Sequence, residues 1–241
     1  MGAVATAAAV VIAGWAFTDA HPAAPSPSGT STTGEGDYYA VLGAAQRLYV
    51  PAAAGDVEYC PVDGLGRATC AYGELTSMQR RDAQARGRQE IAVDPAGWGR
   101  NGSVVIPAAP ALHGSEAYKG WLFNRSHLVA DSLGGAAIAA NLVTGTRTQN
   151  VGSTKRAGEY AGGMAYAEQI ARTYLDTGAG DSCPLYYAAT PVYQGDELLP
   201  RSVLVDLRSC DGAAVDERVK VSNTAYGWSI DYRHGTFTTN P

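Results

Sequence analysis

The sequence lacks the motifs that define several common classes of small protein. Only four cysteines and four histidines occur in 241 residues, and no two cysteines form a CxxC pair. A zinc ribbon or a thioredoxin-like redox motif is therefore unsupported. The absence of an HExxH motif and of any paired histidines also argues against a zinc hydrolase.

Positive charge is also scarce. The chain has 18 Lys and Arg residues against 23 Asp and Glu residues, which gives a formal net charge of −5. This balance argues against a protein held on nucleic acid by bulk positive charge, although it leaves room for a local basic cleft. The length and the 46% hydrophobic content suit one sizeable domain with or without tails.

No uncharged apolar run is long enough to be a typical membrane span. The run "MGAVATAAAVVIAGWAF" holds about 16 apolar residues, against the ~20 that a span needs. It suits a signal-peptide core, although no Lys or Arg precedes it. A linker rich in Pro, Ser, Thr and Gly follows. We expect export by a signal peptide or a membrane anchor, with residues 1–36, including His21, outside a single folded domain at 37–241.

The four cysteines fit an exported chain. An even number of cysteines in an oxidising compartment predicts two disulfides. Sequence alone allows three pairings. We favour local pairing, which closes short loops across turn-rich segments, and it joins Cys60 to Cys70 and Cys183 to Cys210.

The order of predicted elements indicates an α+β domain rather than a doubly wound sheet. "GELTSMQRRDAQARGR" predicts a surface helix from about Glu74, and the segment 118–130 predicts a strand that enters a loop. "GGMAYAEQIARTYLDTG" predicts an amphipathic helix that stops at Gly178. Its apolar face holds Met164, Ala167, Ala171, Tyr174 and Leu175. Beyond it, turn-separated runs predict antiparallel strands.

The segment "WLFNRSHLVADSLGG" raises the question of function, because it places Arg125 and His127 inside an apolar stretch. Around it, the range 119–156 carries five basic residues and one acidic residue, Asp131. Such a patch is either a solvated face or a surface for a phosphodiester backbone. We expect Trp121, Leu122 and Phe123 to anchor the segment in the core.

Polar residues downstream favour phosphodiester chemistry. Asn141 and Asn150 flank Arg147, and each asparagine alone would be an ordinary turn residue. Hydrolysis of a phosphodiester needs a base, and a histidine with an ordinary pKa of about 6.5 can act near neutral pH. Mg²⁺ takes oxygen ligands, so an amide oxygen together with waters and substrate phosphate can hold it.

These residues resemble a known signature. "NRSHLVADSLGG…NLVTGTRTQNVG" is similar to the D-R-G-H-L, Gly-Gly and N-L-x-x-x-T-x-x-x-N pattern of DNA/RNA non-specific endonucleases. It resembles most the secreted DNA-entry nuclease and streptodornase branch of the ββα-metal (His-Me finger) nucleases. "GRQEIAVDPAGWG", "GGMAYAE", "ATPVYQGDELLP" and "VSNTAYGWSIDYRHG" extend the resemblance over about residues 71–236. The implied fold is α+β, with a central antiparallel sheet flanked by helices.

The resemblance implies roles for individual residues. His127 matches the general base, Asn150 matches the Mg²⁺ ligand, and Mn²⁺ can substitute for that metal. Glu168 matches an acidic residue that acts through metal-bound water; Glu159 is a rival nearer to Asn150 in sequence. The remaining matches are the phosphate-binding or structural Arg125, the supporting Asn141, and the substrate-binding Arg147 and Lys155.

Two positions depart from the pattern, because Asn124 stands where the family has Asp and Ser126 where it has Gly. The resemblance implies an endonuclease that leaves 5′-phosphates on DNA, and by extension RNA, without a small-molecule cofactor. The alternative is a nuclease-fold protein that binds extracellular DNA after losing activity through these changes. We expect His113 and His234 in exposed loops, and Trp98, Trp121 and Trp228 in the core.

Overall fold

The computed structural model describes residues 36–240. The predicted signal or anchor segment and His21 lie outside the described residues. Within the described range, no helix combines the length and the apolarity that a bilayer crossing requires.

The main layer is a six-stranded antiparallel sheet in the order β1-β12-β11-β10-β3-β2. Its strands are β1 (Tyr39–Gly43), β2 (Val57–Tyr59), β3 (Ala71–Leu75), β10 (Leu185–Val192), β11 (Ser202–Ser209) and β12 (Asp216–Ser222). Four two-stranded units complete the strands: β4 (Ser103–Ile106) with β5 (Tyr118–Trp121), β6 (Phe123–His127) with β7 (Leu142–Thr146), β8 (Lys155–Arg156) with β9 (Glu159–Tyr160), and β13 (Trp228–Asp231) with β14 (Thr236–Thr239). The predicted antiparallel strands after residue 178 are confirmed.

Within residues 36–240, three α-helices accompany the strands: α1 (Ser77–Arg86), α2 (Arg147–Val151) and α3 (Met164–Asp176). The predicted amphipathic helix is confirmed as α3, whose five predicted apolar residues are all buried. They pack on the main sheet in one core with residues such as Leu185, Val205 and Val219.

The predicted start of the first helix is wrong. Glu74 and Leu75 belong to β3, where they pair with Tyr186 and Leu185 of β10. The helix begins at Ser77, because the Thr76 hydroxyl accepts from the backbone N–H of Gln79 in a capping box. Sheet pairing therefore takes two residues that helix propensity alone assigned to α1.

The predicted single strand at 118–130 is two strands, β5 and β6, which meet at Leu122. β5 pairs with β4 and β6 pairs with β7. The expectation that Trp121 is a core residue is wrong: it is 57% exposed, whereas Leu122 and Phe123 are buried. The alternation of β5 turns Trp121 outward, and the break in the strand lets Leu122 enter a second core.

This second core is small and lies beside the first. It is built from Ile106, Leu122, Phe123, Leu199, Ala225 and Tyr232. Trp98 and Trp228 are partly buried against it, as predicted.

The structure confirms both predicted disulfides. Cys60–Cys70 joins the end of β2 to the start of β3, and Cys183–Cys210 joins the start of β10 to the end of β11. Each bridge therefore fixes the register of two neighbouring strands of the main sheet.

Candidate active site

The residues of the candidate site come from two strands and the helix that follows them. β6 ends at His127, which pairs with Leu142 at the start of β7. β7 ends at Thr146, whose hydroxyl accepts from the N–H of Gln149 and so starts α2. This order places His127 at the end of the first strand and Asn150 on the helix.

Three of the predicted site residues meet at one cavity of about 420 Å³. We call it the histidine cavity; it is lined by His127 from β6, Asn150 from α2 and Glu168 from α3, together with Arg80, Arg88 and Asp131. The rival Glu159 lies exposed on β9 and does not line it. The geometry therefore favours Glu168 over Glu159.

His127 has the properties that a general base needs. Its Nε2 atom is buried and has no hydrogen-bond partner among residues 36–240. Burial lowers the pKa of His127, Asp131 opposes that effect, and the positive charge of Arg88 adds to it. The neutral imidazole is therefore favoured, and a nitrogen lone pair is free to accept a proton.

Asn150 is held by both residues that depart from the family pattern. The Ser126 hydroxyl donates to Asn150 Oδ1 at 3.1 Å, and Asn150 Nδ2 donates to Asn124 Oδ1 at 3.2 Å. The buried Ser126 has no left-handed backbone, so this position does not need glycine. Asn124 can serve through a neutral amide oxygen, because only an acceptor is required there.

Glu168 is a largely buried carboxylate, with 17% of its side chain exposed. Burial raises its pKa, and Arg172, one turn along α3 at 3.2 Å, opposes the rise. An amide oxygen and a carboxylate in one cavity are ligands suited to a hard divalent cation. The side chains present therefore fit a metal site.

Asn141 lies fully buried behind the site rather than on its wall. Its amide accepts from the N–H of Val129 and donates to the carbonyls of Val129 and Ala136, all at 2.9 Å. Gly135 packs so closely that a Cβ would lie 1.9 Å from the Val129 carbonyl oxygen. Asn141 and the diglycine thus fix the loop that follows His127.

The motif arginine Arg125 and the predicted substrate-binding residues Arg147 and Lys155 do not line the histidine cavity. Arg125 pairs with Asp94 and lies 4.5 Å from the ring centre of Trp98. Arg147 lies between the rings of Tyr118 and Tyr160, at 4.8 and 4.4 Å. Lys155 pairs with Glu116 at 2.7 Å.

A second cavity, of about 530 Å³, adjoins the first and shares Arg88 and Asn150 with it. We call it the tryptophan pocket, after Trp98 and Trp121 in its wall; Phe123, Asn124 and Arg125 also line it.

Sequence reasoning missed Arg88 as a site residue. It lines both cavities, and it forms no salt bridge within the described part of the chain. An unpaired guanidinium between two cavities is suited to contact a phosphate. Arg88 stands in "GRQEIAVDPAGWG", one of the segments that carry the family resemblance. That resemblance assigned no role to the arginine.

The family model described as DNA/RNA non-specific endonuclease matches residues 50–210. The chain belongs to this family. A curated deoxyribonuclease from Streptococcus dysgalactiae subsp. equisimilis is 36% identical over 208 residues, which cover 76% of this chain and 61% of the relative. The chain therefore spans about three fifths of the length of that deoxyribonuclease.

Solved structures agree with the family assignment. The Sda1 nuclease with a bound zinc ion is 33% identical with a TM-score of 0.73, covering 85% of this chain and 97% of Sda1. NucA from Streptococcus agalactiae with a bound magnesium ion is 22% identical with a TM-score of 0.63. The match covers 88% of this chain and 91% of the NucA chain. The latter supports the fold alone. The predicted resemblance and the ββα-metal α+β fold are confirmed.

Proposed function

We propose that this chain is an endonuclease that uses a divalent metal to hydrolyse DNA with little sequence preference. The observation that carries the proposal is the histidine cavity, where His127, Asn150 and Glu168 meet and the imidazole Nε2 is free. The names of the relatives, a deoxyribonuclease and a nuclease, support the same activity.

Asn150 and Glu168 would hold the metal, the carboxylate acting through bound water. We propose Mg²⁺, with Mn²⁺ able to substitute, because both donors are oxygens. The ion supplies positive charge that stabilises the phosphoryl oxygens and the departing 3′ oxygen. The Sda1 structure holds zinc and the NucA structure magnesium.

The chain's own side chains supply the remaining chemistry. Neutral His127 takes a proton from a water molecule as that water attacks phosphorus. The bond from phosphorus to the 3′ oxygen breaks, the 3′ oxygen takes a proton from solvent and becomes a hydroxyl, and a 5′-phosphate remains. Arg88, between the two cavities, contacts the phosphate. Arg125 contacts the neighbouring part of the nucleic-acid strand. Contacts to the backbone carry no base information, so little sequence preference is expected.

The test is cleavage of supercoiled plasmid DNA by the purified chain in three reactions: with Mg²⁺, with EDTA, and with Mg²⁺ and His127→Ala. We expect nicking and linearisation in the first reaction alone. A gel shift without cleavage in all three would support the alternative, a nuclease-fold protein that only binds DNA. Parallel reactions with single-stranded DNA and with RNA define the substrate range.

We also propose that the protein works outside the cytoplasm, either secreted or anchored at the cell surface. Two disulfides in the folded part support this location, because such bonds persist in oxidising compartments. Fractionation of the native host should recover the chain in the medium or on the envelope; recovery in the cytosol would contradict the proposal.

A further inference from the structure

We propose that the tryptophan pocket is a base-binding subsite in which one unstacked nucleobase of the substrate strand stacks on Trp121. The proposal rests on the proposed function, since it concerns the strand whose phosphate enters the histidine cavity. It extends that function by naming what the neighbouring nucleotide does.

Trp121 is an aromatic platform that faces solvent from the wall of a cavity. Its side chain is 57% exposed, although the next two residues are buried. An indole with a free face offers a stacking surface of large area and low conformational cost.

The backbone that follows the platform is held by hydrogen bonds. The N–H of Leu122 donates to Gly102 at 3.0 Å. The side chain of Asn101 accepts from the Phe123 N–H at 2.9 Å and donates to the Phe123 carbonyl at 2.8 Å. Because the backbone after Trp121 is held by these bonds, little backbone order has to be gained when a base binds.

The two tryptophans of the pocket are not equivalent. The guanidinium of Arg125 covers the ring of Trp98, and Asp94 pairs with that guanidinium. Trp121 has neither an aromatic nor a cationic group stacked on it within residues 36–240. The geometry therefore assigns the stacking role to Trp121 and a supporting role to Trp98.

The charge of the pocket suits a nucleotide. Arg88, which forms no salt bridge within residues 36–240, and Arg125, which is paired with Asp94, line it, and none of the described lining residues is acidic. Its volume of about 530 Å³ lies within the ~300–1,000 Å³ typical of small-molecule sites. A base with its sugar fits such a space, and the adjoining phosphates meet the two arginines.

The pocket is continuous with the candidate chemistry, because Arg88 and Asn150 line both cavities. A phosphate beside these two residues would place an adjacent nucleoside in the tryptophan pocket. Stacking there requires the base to leave its neighbours in the helix, so unpaired or distorted strands should bind best. Stacking does not distinguish bases, so it is compatible with low sequence preference.

The experiment measures binding in EDTA, where no cleavage occurs, with two fluorescent probes. One is single-stranded oligothymidylate about 12 nucleotides long, within the ~4–16 nucleotides that single-strand sites cover. The other is an abasic oligomer of the same length, with the same phosphates and no bases. The proteins are the full chain, Trp121→Ala, Trp121→Phe and the control Tyr226→Ala, whose aromatic ring is 45% exposed outside the pocket.

We expect the full chain to prefer oligothymidylate, and Trp121→Ala to lose about tenfold in affinity for that probe alone. Trp121→Phe should keep most of the preference, and Tyr226→Ala all of it. Equal losses for both probes in Trp121→Ala, or no loss for either, would overturn the proposal. Because binding is read without metal, the subsite can fail while plasmid cleavage succeeds, and the reverse.

Discussion

The two adjoining cavities differ in the chemistry of their walls. The histidine cavity carries a base and two carboxylates, Asp131 and Glu168, beside its arginines. The tryptophan pocket carries arginines and indoles without an acid among its described lining residues. The first composition suits a cation and proton transfer, and the second suits a polyanionic strand.

The comparison teaches that one strand, β6, can supply side chains to both cavities. β6 gives His127 to the histidine cavity, and it gives Asn124 and Arg125 to the tryptophan pocket. Asn150, held by Asn124 and Ser126, stands where the cavities meet. The following predictions separate the two cavities by experiment, beginning with the largest expected effect.

His127→Ala should reduce the rate of DNA cleavage by about 10²–10⁴-fold, which is the usual contribution of a general base. The matched control is His234→Ala, since His234 is exposed on a second hairpin and its Nδ1 contacts Asp231 at 2.8 Å. Initial rates on plasmid should fall only for His127→Ala. A similar fall for both variants would contradict the assignment of His127 as the general base.

Glu168→Gln should lower the affinity for the metal by about 10–100-fold, as loss of an outer-sphere partner commonly does. The measurement is the Mg²⁺ concentration at half-maximal rate, with Mn²⁺ compared in parallel. Glu159→Gln is the control, because that glutamate lies exposed on β9. If Glu159→Gln gave the larger shift, the assignment to α3 would fail.

The sequence predicted the histidine cavity better than the tryptophan pocket, for a physical reason. His127, Asn150 and Glu168 stand in short motifs whose spacing is tied to a strand, a helix start and an amphipathic helix. Arg88 and Trp121 become neighbours only when the segments at 88–101 and 118–125 fold over one another. No local periodicity in the sequence indicates that contact.

The same reason explains the errors in secondary structure. Helix propensity cannot show that Glu74 pairs with Tyr186 more than a hundred residues away. Its hydrophobicity predicted Trp121 in the core. Because the strand breaks between β5 and β6, Leu122 is buried in the second core instead. Both errors come from long-range pairing that overrides a local preference.

The pH dependence of cleavage tests whether Arg88, which lines both cavities, lowers the pKa of His127. Because burial and Arg88 lower the pKa of His127 while Asp131 opposes them, the neutral base should persist below pH 6.5. The rate should then fall as the pH drops through the lowered pKa. Arg88→Gln removes one lowering charge, so the acid limb should move to higher pH.

The control for this shift is Arg81→Gln, whose arginine is exposed and paired with Asp181. Its acid limb should match that of the unchanged chain. A rate independent of pH between pH 5 and 8 would contradict the role of His127. An unmoved limb in Arg88→Gln would show that Arg88 does not act on the imidazole.

The smallest expected effect concerns salt, and it separates the tryptophan pocket from the more distant cations. Each phosphate contact that is lost should reduce the slope of log affinity against log salt by about 1. Arg125 lines the pocket, so Arg125→Gln should reduce the slope on both a short and a long single strand. Lys155 lies outside both cavities, so Lys155→Gln should reduce it only on the long one, where the strand continues past Tyr160. If Lys155→Gln changed the slope on the short strand, the path of the strand would run from the histidine cavity toward β8 and β9 instead of across Trp121.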